Sequence, residues 1–382
     1  MSECRQNKNI DCKPQSILVI GGGRWAREII GVTQNLLTNQ DKITVCTKIN
    51  FNVVIGWLET KAFSNVSVVE ELESLELSEY TAVIIVNSAS DHYSTAMMMM
   101  DHNLPILIEK PMVSTSKQFF DITKKASEKG LLLASANVFL YSTFIDVFAD
   151  LIKTCTPQKI EFLWTDPRSY SWGKGERLYD SSTPVYQDVL PHIFSILQLV
   201  FPKTNFELNT LTLERGGAKV LLELTMGEAV CEIHIERNSK QRERKLIVRC
   251  KSDQNYYYDF KSEPPAIYKN GNIINSVSVG KYHRTPLNEL MFRFLSAVKG
   301  DGMDFRLDPQ YSLLPSQFNE IITEPYREKL NEWISNQIEN KLELTDDLVY
   351  ALEELFQQNV RLNRADLNTK IRDYTSHRRV DL

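Results

Sequence analysis

An apolar run at residues 16–20 (S-I-L-V-I) passes directly into Gly21-Gly22-Gly23-Arg24-Trp25-Ala26, and a helical pattern follows over residues 27–37. A continuous apolar run of that length suits a strand buried on both faces of a parallel sheet. The glycines fall where the strand must turn into the helix. Gly21-x-Gly23-x-x-Ala26 fits the G-x-G-x-x-G/A fingerprint. That pattern needs a tight turn at the first glycine and no side chain where backbone meets a pyrophosphate at the second. Its small third residue lets helix and strand pack closely, and the helix N-terminus faces the phosphates. Glycine triplets also occur in plain turns. The strand before and the helix after favour a dinucleotide site over that account.

The alternation continues to about residue 136. Strand-like runs fall at 43–46, 81–86 (T-A-V-I-I-V), 104–108 and 131–136, with a short strand and a helix start over 66–74. Helical patterns occupy 90–103 and 116–129. Strands alternating with helices of that length mean βαβ units, a parallel sheet and helices on both faces. The four methionines Met97 to Met100 point in different directions from a helix, so they are expected to fill core rather than bind a soft metal. No metal is expected. From about residue 157 the texture changes. Strand-like runs at 160–164, 206–213, 218–224, 229–236 and 245–250, with turns such as Arg215-Gly216-Gly217, predict an antiparallel sheet. Helices are expected at 188–201, 286–298, 325–340 and 344–363, with Pro325 in a first turn, where its missing N–H is harmless.

A chain of 382 residues holds two or three domains at roughly 150 residues each. With 44 basic against 49 acidic residues the net charge is −5, so no global field draws nucleic acid or an anionic membrane. The basic run at residues 240–245 sits between strands and reads as a solvated hairpin. The six cysteines (Cys4, Cys12, Cys46, Cys155, Cys231, Cys250) are scattered without a C-x-x-C pair, so reduced, mostly buried thiols are expected. No stretch reaches the length of apolar residues that a membrane helix needs. Residues 1–15 carry charges throughout, lack the apolar run of a secretory signal, and read as a frayed tail. The expected location is cytoplasmic.

Sites specific for NAD place a carboxylate on the adenosine ribose at the end of the second strand. Here that neighbourhood is Val45-Cys46-Thr47-Lys48. A hydroxyl and an ammonium suit a 2′-phosphate, and Arg24 could add a second positive charge, so NADP is favoured with NAD possible. The competing account makes Lys48 a solvated surface lysine. Glu109-Lys110-Pro111 closes the strand at 104–108, at the sheet edge where ligands of open α/β sheets bind. Asp188-x-x-x-His192 puts a carboxylate and an imidazole on one helical face. In isolation that pair reads as readily as an acidic first-turn residue and a partly buried helix histidine.

Taken together, these segments resemble the glucose–fructose oxidoreductase / inositol dehydrogenase (Gfo/Idh/MocA) family in order and spacing over roughly residues 16–300. The matching positions are the glycine loop Gly21 to Ala26, Asn87 beyond the strand at 81–86, and His92 opening the next helix. Glu109-Lys110-Pro111, Asn137, and the pair Asp188 and His192 complete the set. The fold implied is α/β: a Rossmann domain with a parallel sheet, then an α/β domain on an open, mostly antiparallel sheet, with a helical tail. The expected divisions are a flexible tail 1–15, a dinucleotide-binding domain 16–136, a substrate and oligomerisation domain 137–310 and a C-terminal extension 311–382. The resemblance implies cofactor contacts from Gly21, Gly23, Arg24, Trp25, Ala26, Thr47, Lys48, Asn87, Ser88, His92, Glu109, Lys110 and Pro111.

The sequence departs from the family in Ser182-Thr183-Pro184-Val185-Tyr186-Gln187 before the Asp188/His192 pair, in N-V-F-L-Y-S from Asn137, and in a longer helical tail. The activity implied is hydride transfer between nicotinamide C4 and a hydroxyl or keto carbon of a sugar-like or polyol-like molecule. His192 would be general acid/base, since imidazole titrates near neutrality. Lys110 would stabilise alkoxide charge or share the proton relay, and Asp188 would orient substrate or imidazole. Asn137, Tyr141, Arg168 and Tyr179 are the expected substrate contacts. The last two belong to an aromatic stretch with Tyr170, Trp172, Arg177 and Tyr186 that suits stacking on a polyhydroxylated ligand or packing on the sheet. Rival readings are an imine reductase and a catalytically inactive NAD(P)-binding scaffold. The partner expected is a small molecule, with a homodimer or homotetramer implied by the family.

Overall fold

The computed structural model describes residues 14–61, 63–167, 183–274, 284–339 and 345–355. It divides into two compact units, Met1–Tyr141 with Arg284–Ser316, and Ser142–His283 with Gln317–Leu382. No helix among the described residues is long and apolar enough to cross a membrane.

The first unit alternates strand and helix: β1 (Ser16–Ile20), α1 (Arg24–Gln34), β2 (Lys42–Cys46), α2 (Phe51–Glu59), β3 (Val66–Val69), β4 (Ala82–Ile85), α3 (His92–Asp101), β5 (Ile106–Ile108), α4 (Ser116–Lys129) and β6 (Leu133–Ser135). The strands form one parallel sheet in the order β3-β2-β1-β4-β5-β6. The order reverses between β1 and β4, which opens a crevice at the carboxyl ends of those strands. Ile17, Leu18 and Val19 are fully buried, as a strand covered on both faces requires. In α4, Thr115 caps the start by accepting from the Gln118 amide, and Gly130 at φ 62° ends it. Of the methionine run, Met99 and Met100 are core residues and Met98 is exposed. Helix α2 is absent from the sequence expectation because F-N-V-V-I-G-W-L-E has no capping side chain and no clean apolar stripe, burying only Val54. The returning segment adds α7 (Pro286–Val298), where Thr285 accepts from the Asn288 amide and Pro286 opens the first turn.

The second unit holds α5 (Ile145–Ile152), β7 (Pro157–Pro167), α6 (Val185–Val200), β8 (Phe206–Glu214), β9 (Lys219–Met226), β10 (Ala229–Ser239), β11 (Glu243–Cys250), β12 (Asn255–Asp259), β13 (Ala266–Lys269) and β14 (Asn272–Ile273). Their sheet runs β14-β13-β12-β11-β7-β10-β9-β8. Only β7 and β10 pair in parallel, so the sheet is mostly antiparallel. Along each central strand alternate residues are buried: Ile160 and Phe162, Ile233 and Ile235, Leu246 and Val248. The intervening positions carry ion pairs such as Lys159–Glu232 at 2.8 Å and Arg249–Glu161 at 2.8 Å. The unit is completed by α8 (Leu313–Glu339), from Gln317 onward, and by α9 (Asp346–Leu355).

Two expectations are corrected. Pro325 lies inside α8 rather than in a first turn. The helix starts earlier, directly after a short turn at Pro309–Ser312 whose first amide is capped by Asp308. The cysteines are not all reduced: Cys155 and Cys250 form a disulfide, with Cα atoms 5.7 Å apart, while Cys46 and Cys231 are buried free thiols. The pairing spans 95 residues of sequence and is invisible to spacing rules. It arises because β11 runs antiparallel to β7, which brings Cys250 to the start of that strand.

Candidate active site

The first unit gathers the glycine loop and the E-K-P segment on one edge of its sheet. The Gly21 amide donates to the Cys46 carbonyl, Val86 to Ile20, Glu109 to Ile85 and Thr47 to Val69. The residues just past β1, β2, β4 and β5 are therefore tied to one another, and Gly21, Thr47, Asn87 and Glu109 follow these strand ends. The loop glycines differ in what holds them. Gly21 has φ 125°, and a Cβ there would lie 2.5 Å from the Val86 carbonyl oxygen, so its demand is internal. Gly22, an unconstrained position in the fingerprint, would place a Cβ 2.7 Å from the Thr47 side chain; the motif gives no sign of this. Gly23 has ordinary φ −64° and open space in front of its would-be Cβ. Nothing among the described residues crowds a side chain there, which leaves room for a ligand against the backbone.

Around this loop lie buried polar atoms that find no hydrogen-bond partner: Trp25 Nε1, Asn87 Oδ1 and His92 Nε2. Buried polar groups are nearly always satisfied, so three such atoms in the neighbourhood of one loop suit a polar ligand. Asn87 is oriented by donating from Nδ2 to Thr95 at 3.0 Å. His92, fully buried at the start of α3, donates from Nδ1 to the Pro111 carbonyl at 2.8 Å. That carbonyl can only accept, which fixes the tautomer. Burial lowers the His92 pKa against the opposing pull of that bond. The imidazole thus ties the first turn of α3 to the Glu109-Lys110-Pro111 segment, whose Lys110–Pro111 peptide is cis. Glu109 is buried and Lys110 half-buried. The amino end of α1 has no side-chain cap and no acidic residue in its first turn, which leaves its amides and dipole for an anion. Arg24 and Ser88 are exposed beside these elements, and Ala26 is fully buried where α1 meets the sheet.

At the end of β2, Thr47 is buried and Lys48 exposed. Lys48 donates to Glu71 at 2.6 Å, and this carboxylate raises the lysine pKa. A carboxylate therefore stands at this corner after all, supplied from beyond β3. Of the expected substrate contacts in this unit, Asn137 is buried and donates to Ser135 at 3.0 Å. Tyr141 is buried with its hydroxyl unpartnered and the Arg306 guanidinium 4.6 Å from its ring centroid. Arg168 and Tyr179, with Tyr170, Trp172 and Arg177, lie outside the described residues.

In the second unit Asp188 occupies the first turn of α6 and His192 the next turn on the same face. The His192 ring stacks on the Trp164 indole, with centroids 5.3 Å apart and planes 11° from parallel. The Arg244 guanidinium lies 3.8 Å from that indole's centroid and donates to both oxygens of Asp166 at 2.7 Å. Asp188 accepts from Arg237 at 3.0 Å, and Arg237 pairs in register with Asp166. One end of the covered sheet face is thus charged where the remainder is apolar. The sequence reading missed Trp164, Asp166, Arg237 and Arg244. Their signal is parity: Asp166, Arg237 and Arg244 occupy inward positions of β7, β10 and β11. A buried charge at such a position is costly unless paired and is a candidate for function. Tyr186, by contrast, is fully buried beside Tyr326 and shares a hydrogen bond with Thr323, so it is core.

Residues 15–137 match the profile described as "Oxidoreductase family, NAD-binding Rossmann fold" of the Gfo/Idh/MocA group. None of the curated protein sequences matches the chain. Among solved structures it is similar to UDP-N-acetylglucosamine 3-dehydrogenase GnnA from Acidithiobacillus ferrooxidans (TM-score 0.62, 16% identity, covering 79% of this chain and 94% of that one). It is also similar to KijD10, a 3-ketoreductase from Actinomadura kijaniata in complex with NADP and TDP-benzene (TM-score 0.64, 15% identity, 80% and 96%). A third likeness is to the dehydrogenase MviM from Clostridium difficile (TM-score 0.63, 12% identity, 81% and 99%). At these identities the likeness is one of fold.

Proposed function

We propose that the chain, whose residues 15–137 match the Gfo/Idh/MocA oxidoreductase profile with its NAD-binding Rossmann fold, interconverts a hydroxyl and a keto group on a sugar-like substrate. The observation that carries this reading is the convergence of Gly21, Thr47, Asn87 and Glu109 on one sheet edge, with the space before Gly23 and the unpartnered atoms of Trp25, Asn87 and His92 beside it. Those residues fit a nicotinamide dinucleotide. Gly23 and the start of α1 would receive the pyrophosphate, Thr47 and Lys48 the adenosine ribose or its 2′-phosphate, and Asn87, His92 and Glu109 to Pro111 the remainder.

When bound, the nicotinamide supplies the redox chemistry. The protein's part is position and the proton. Oxidising a secondary alcohol requires its hydroxyl proton to leave, and reducing a ketone requires one to arrive. His192, held flat against Trp164, takes or gives that proton at the substrate oxygen. Lys110 is the residue assigned to stabilising alkoxide charge. Asp188, one turn before His192 and anchored by Arg237, orients the substrate. Nucleotide-linked sugars are the substrate class to try first, since GnnA is named for UDP-N-acetylglucosamine and KijD10 was crystallised with TDP-benzene.

The test is NADP(H) and NAD(H) binding by calorimetry, followed by turnover of UDP-N-acetylglucosamine with either cofactor. Lys110→Met and His192→Ala should each lower kcat by about a hundredfold or more while binding cofactor and melting like the native protein. Near-native turnover in either variant overturns that residue's role. Failure to bind either dinucleotide overturns the enzyme itself.

A further inference from the structure

The C-terminal helices reach the candidate substrate end of the second unit, and the geometry points to Tyr350 of α9 as a positioning residue that sets the Asp188 carboxylate through Arg237. This rests on the reading of Asp188 as a substrate-orienting group.

Arg237 is the centre of the arrangement. It follows Ile233 and Ile235 at inward positions of β10 and is 3% exposed. A guanidinium so placed is tolerated only if its donors are met. Both Nη groups are met, from two directions. Nη2 donates to Asp188 Oδ2 at 3.0 Å, while Nη1 donates to the Thr183 carbonyl at 2.9 Å and the Tyr350 hydroxyl at 3.2 Å. Asp188 and Thr183 belong to the entry into α6, and Tyr350 belongs to α9. On the same face of α9, Glu354 accepts from the Tyr326 hydroxyl of α8, which ties the helix bearing Tyr350 to its neighbour. By accepting from Nη1, the Tyr350 hydroxyl helps fix the planar guanidinium whose Nη2 meets the Asp188 carboxylate.

Helix α9 is seated independently of this bond. Asp347 accepts from Arg215 Nε at 3.2 Å and Nη2 at 3.1 Å. Ala351 fills the space in front of Gly216, whose would-be Cβ would lie 2.8 Å from it. Asp347, Tyr350, Ala351 and Glu354 recur at i, i+3, i+4 and i+7, so one face of α9 makes all these contacts. Removing the Tyr350 hydroxyl should leave the helix docked and free only the guanidinium. Asp188 keeps a third of its side chain exposed, as a group that meets a ligand must.

The experiment compares Tyr350→Phe, Asp188→Asn and the double variant. With UDP-N-acetylglucosamine as probe, Tyr350→Phe should lower kcat/KM about tenfold, leaving the NADPH Kd unchanged. In the Asp188→Asn background the same change should cost nothing further. Coupling is also read without any substrate. Because both residues bond one guanidinium, the double variant should melt about 2 °C or more above the sum of the single shifts. Native kcat/KM in Tyr350→Phe beside a crippled Asp188→Asn overturns the proposal, as do strictly additive melts. If Asp188→Asn itself turns over normally, the role assigned to Asp188 has failed; the melts then still decide whether Tyr350 and Asp188 are coupled.

Discussion

The chain contains two glycine turns that look alike in sequence, Gly21-Gly22-Gly23 and Arg215-Gly216-Gly217, and the structure uses them in opposite ways. In the second, Gly216 at φ 61° would place a Cβ 2.8 Å from the Ala351 side chain, the Asp347 carbonyl and the Trp333 ring. The protein itself fills the space that the missing side chains leave. In the first, Gly21 and Gly22 are likewise hemmed in by Val86 and Thr47, but Gly23 faces nothing within 4 Å among the described residues. Glycine records a close approach without saying what approaches. The difference between a packing turn and a binding turn lies in whether the chain supplies the neighbour, and that depends on segments more than a hundred residues away.

The largest effect should come from the packing turn. Gly216→Ala meets three contacts, one of them backbone, in a left-handed conformation, and should destabilise the protein by about 3 kcal/mol or more in urea unfolding. The folded remainder should still bind NADPH with native affinity. A loss of less than about 1 kcal/mol would mean that α9 can withdraw from the turn, and the two turns would then be less different than the contacts imply.

The next effect sharpens the contrast from the side of the tail helices. Glu354 is buried against Tyr326 and Tyr350, with Arg237 beyond, and burial raises its pKa from 4.5 to about 7. The folded state therefore holds a proton that the unfolded state releases at lower pH. The stability this confers is complete below pH 4.5 and is lost as pH rises through about 7. Glu354→Gln lacks that titration. Its stability relative to the native protein should rise by roughly 3 kcal/mol between pH 4 and pH 8. A flat difference across that range would place Glu354 in contact with water and loosen the helix pair.

At the binding turn the order of effects inverts. Gly23→Ala adds a methyl in an ordinary conformation, so stability should change by less than about 1 kcal/mol. Dinucleotide affinity should nonetheless fall about tenfold or more, because the methyl stands where backbone must meet a pyrophosphate. Loss of stability with native affinity would reverse the assignment of the two turns.

How much of this was legible depends on range. Strands β1, β4 and β5 announce themselves through unbroken apolar runs, β2 through its β-branched residues, and the loop after β1 through its glycines, because each signal is local. The pair Asp188 and His192 is legible as an i, i+4 spacing on α6. Their supports are not: Trp164, Arg244 and Arg237 reach the pair only through the pairing of β7 with β10 and β11, which no short window contains. The Cys155–Cys250 disulfide and the contact of Tyr350 with Arg237 are hidden for the same reason. Helix α2 failed differently, since it lacks a cap and buries one residue, leaving propensity as its only trace.

The smallest expected effect concerns the corner of the binding turn where Lys48 meets Glu71. Both side chains are largely exposed, and with Glu70 and Glu73 nearby the corner carries more negative than positive charge. Such a pair is weak and screened by salt. Removing its carboxylate releases a lysine at the end of β2, where a 2′-phosphate would sit. Glu71→Gln should therefore strengthen NADPH binding about fivefold relative to NADH at low salt, and less at high salt. If both affinities move together, the pair does not touch the adenosine ribose. If NADH binding weakens instead, Glu71 is the ribose acceptor that the second strand lacks, delivered from the neighbouring strand's end; a turn that binds would then also be completed by a residue distant from its motif.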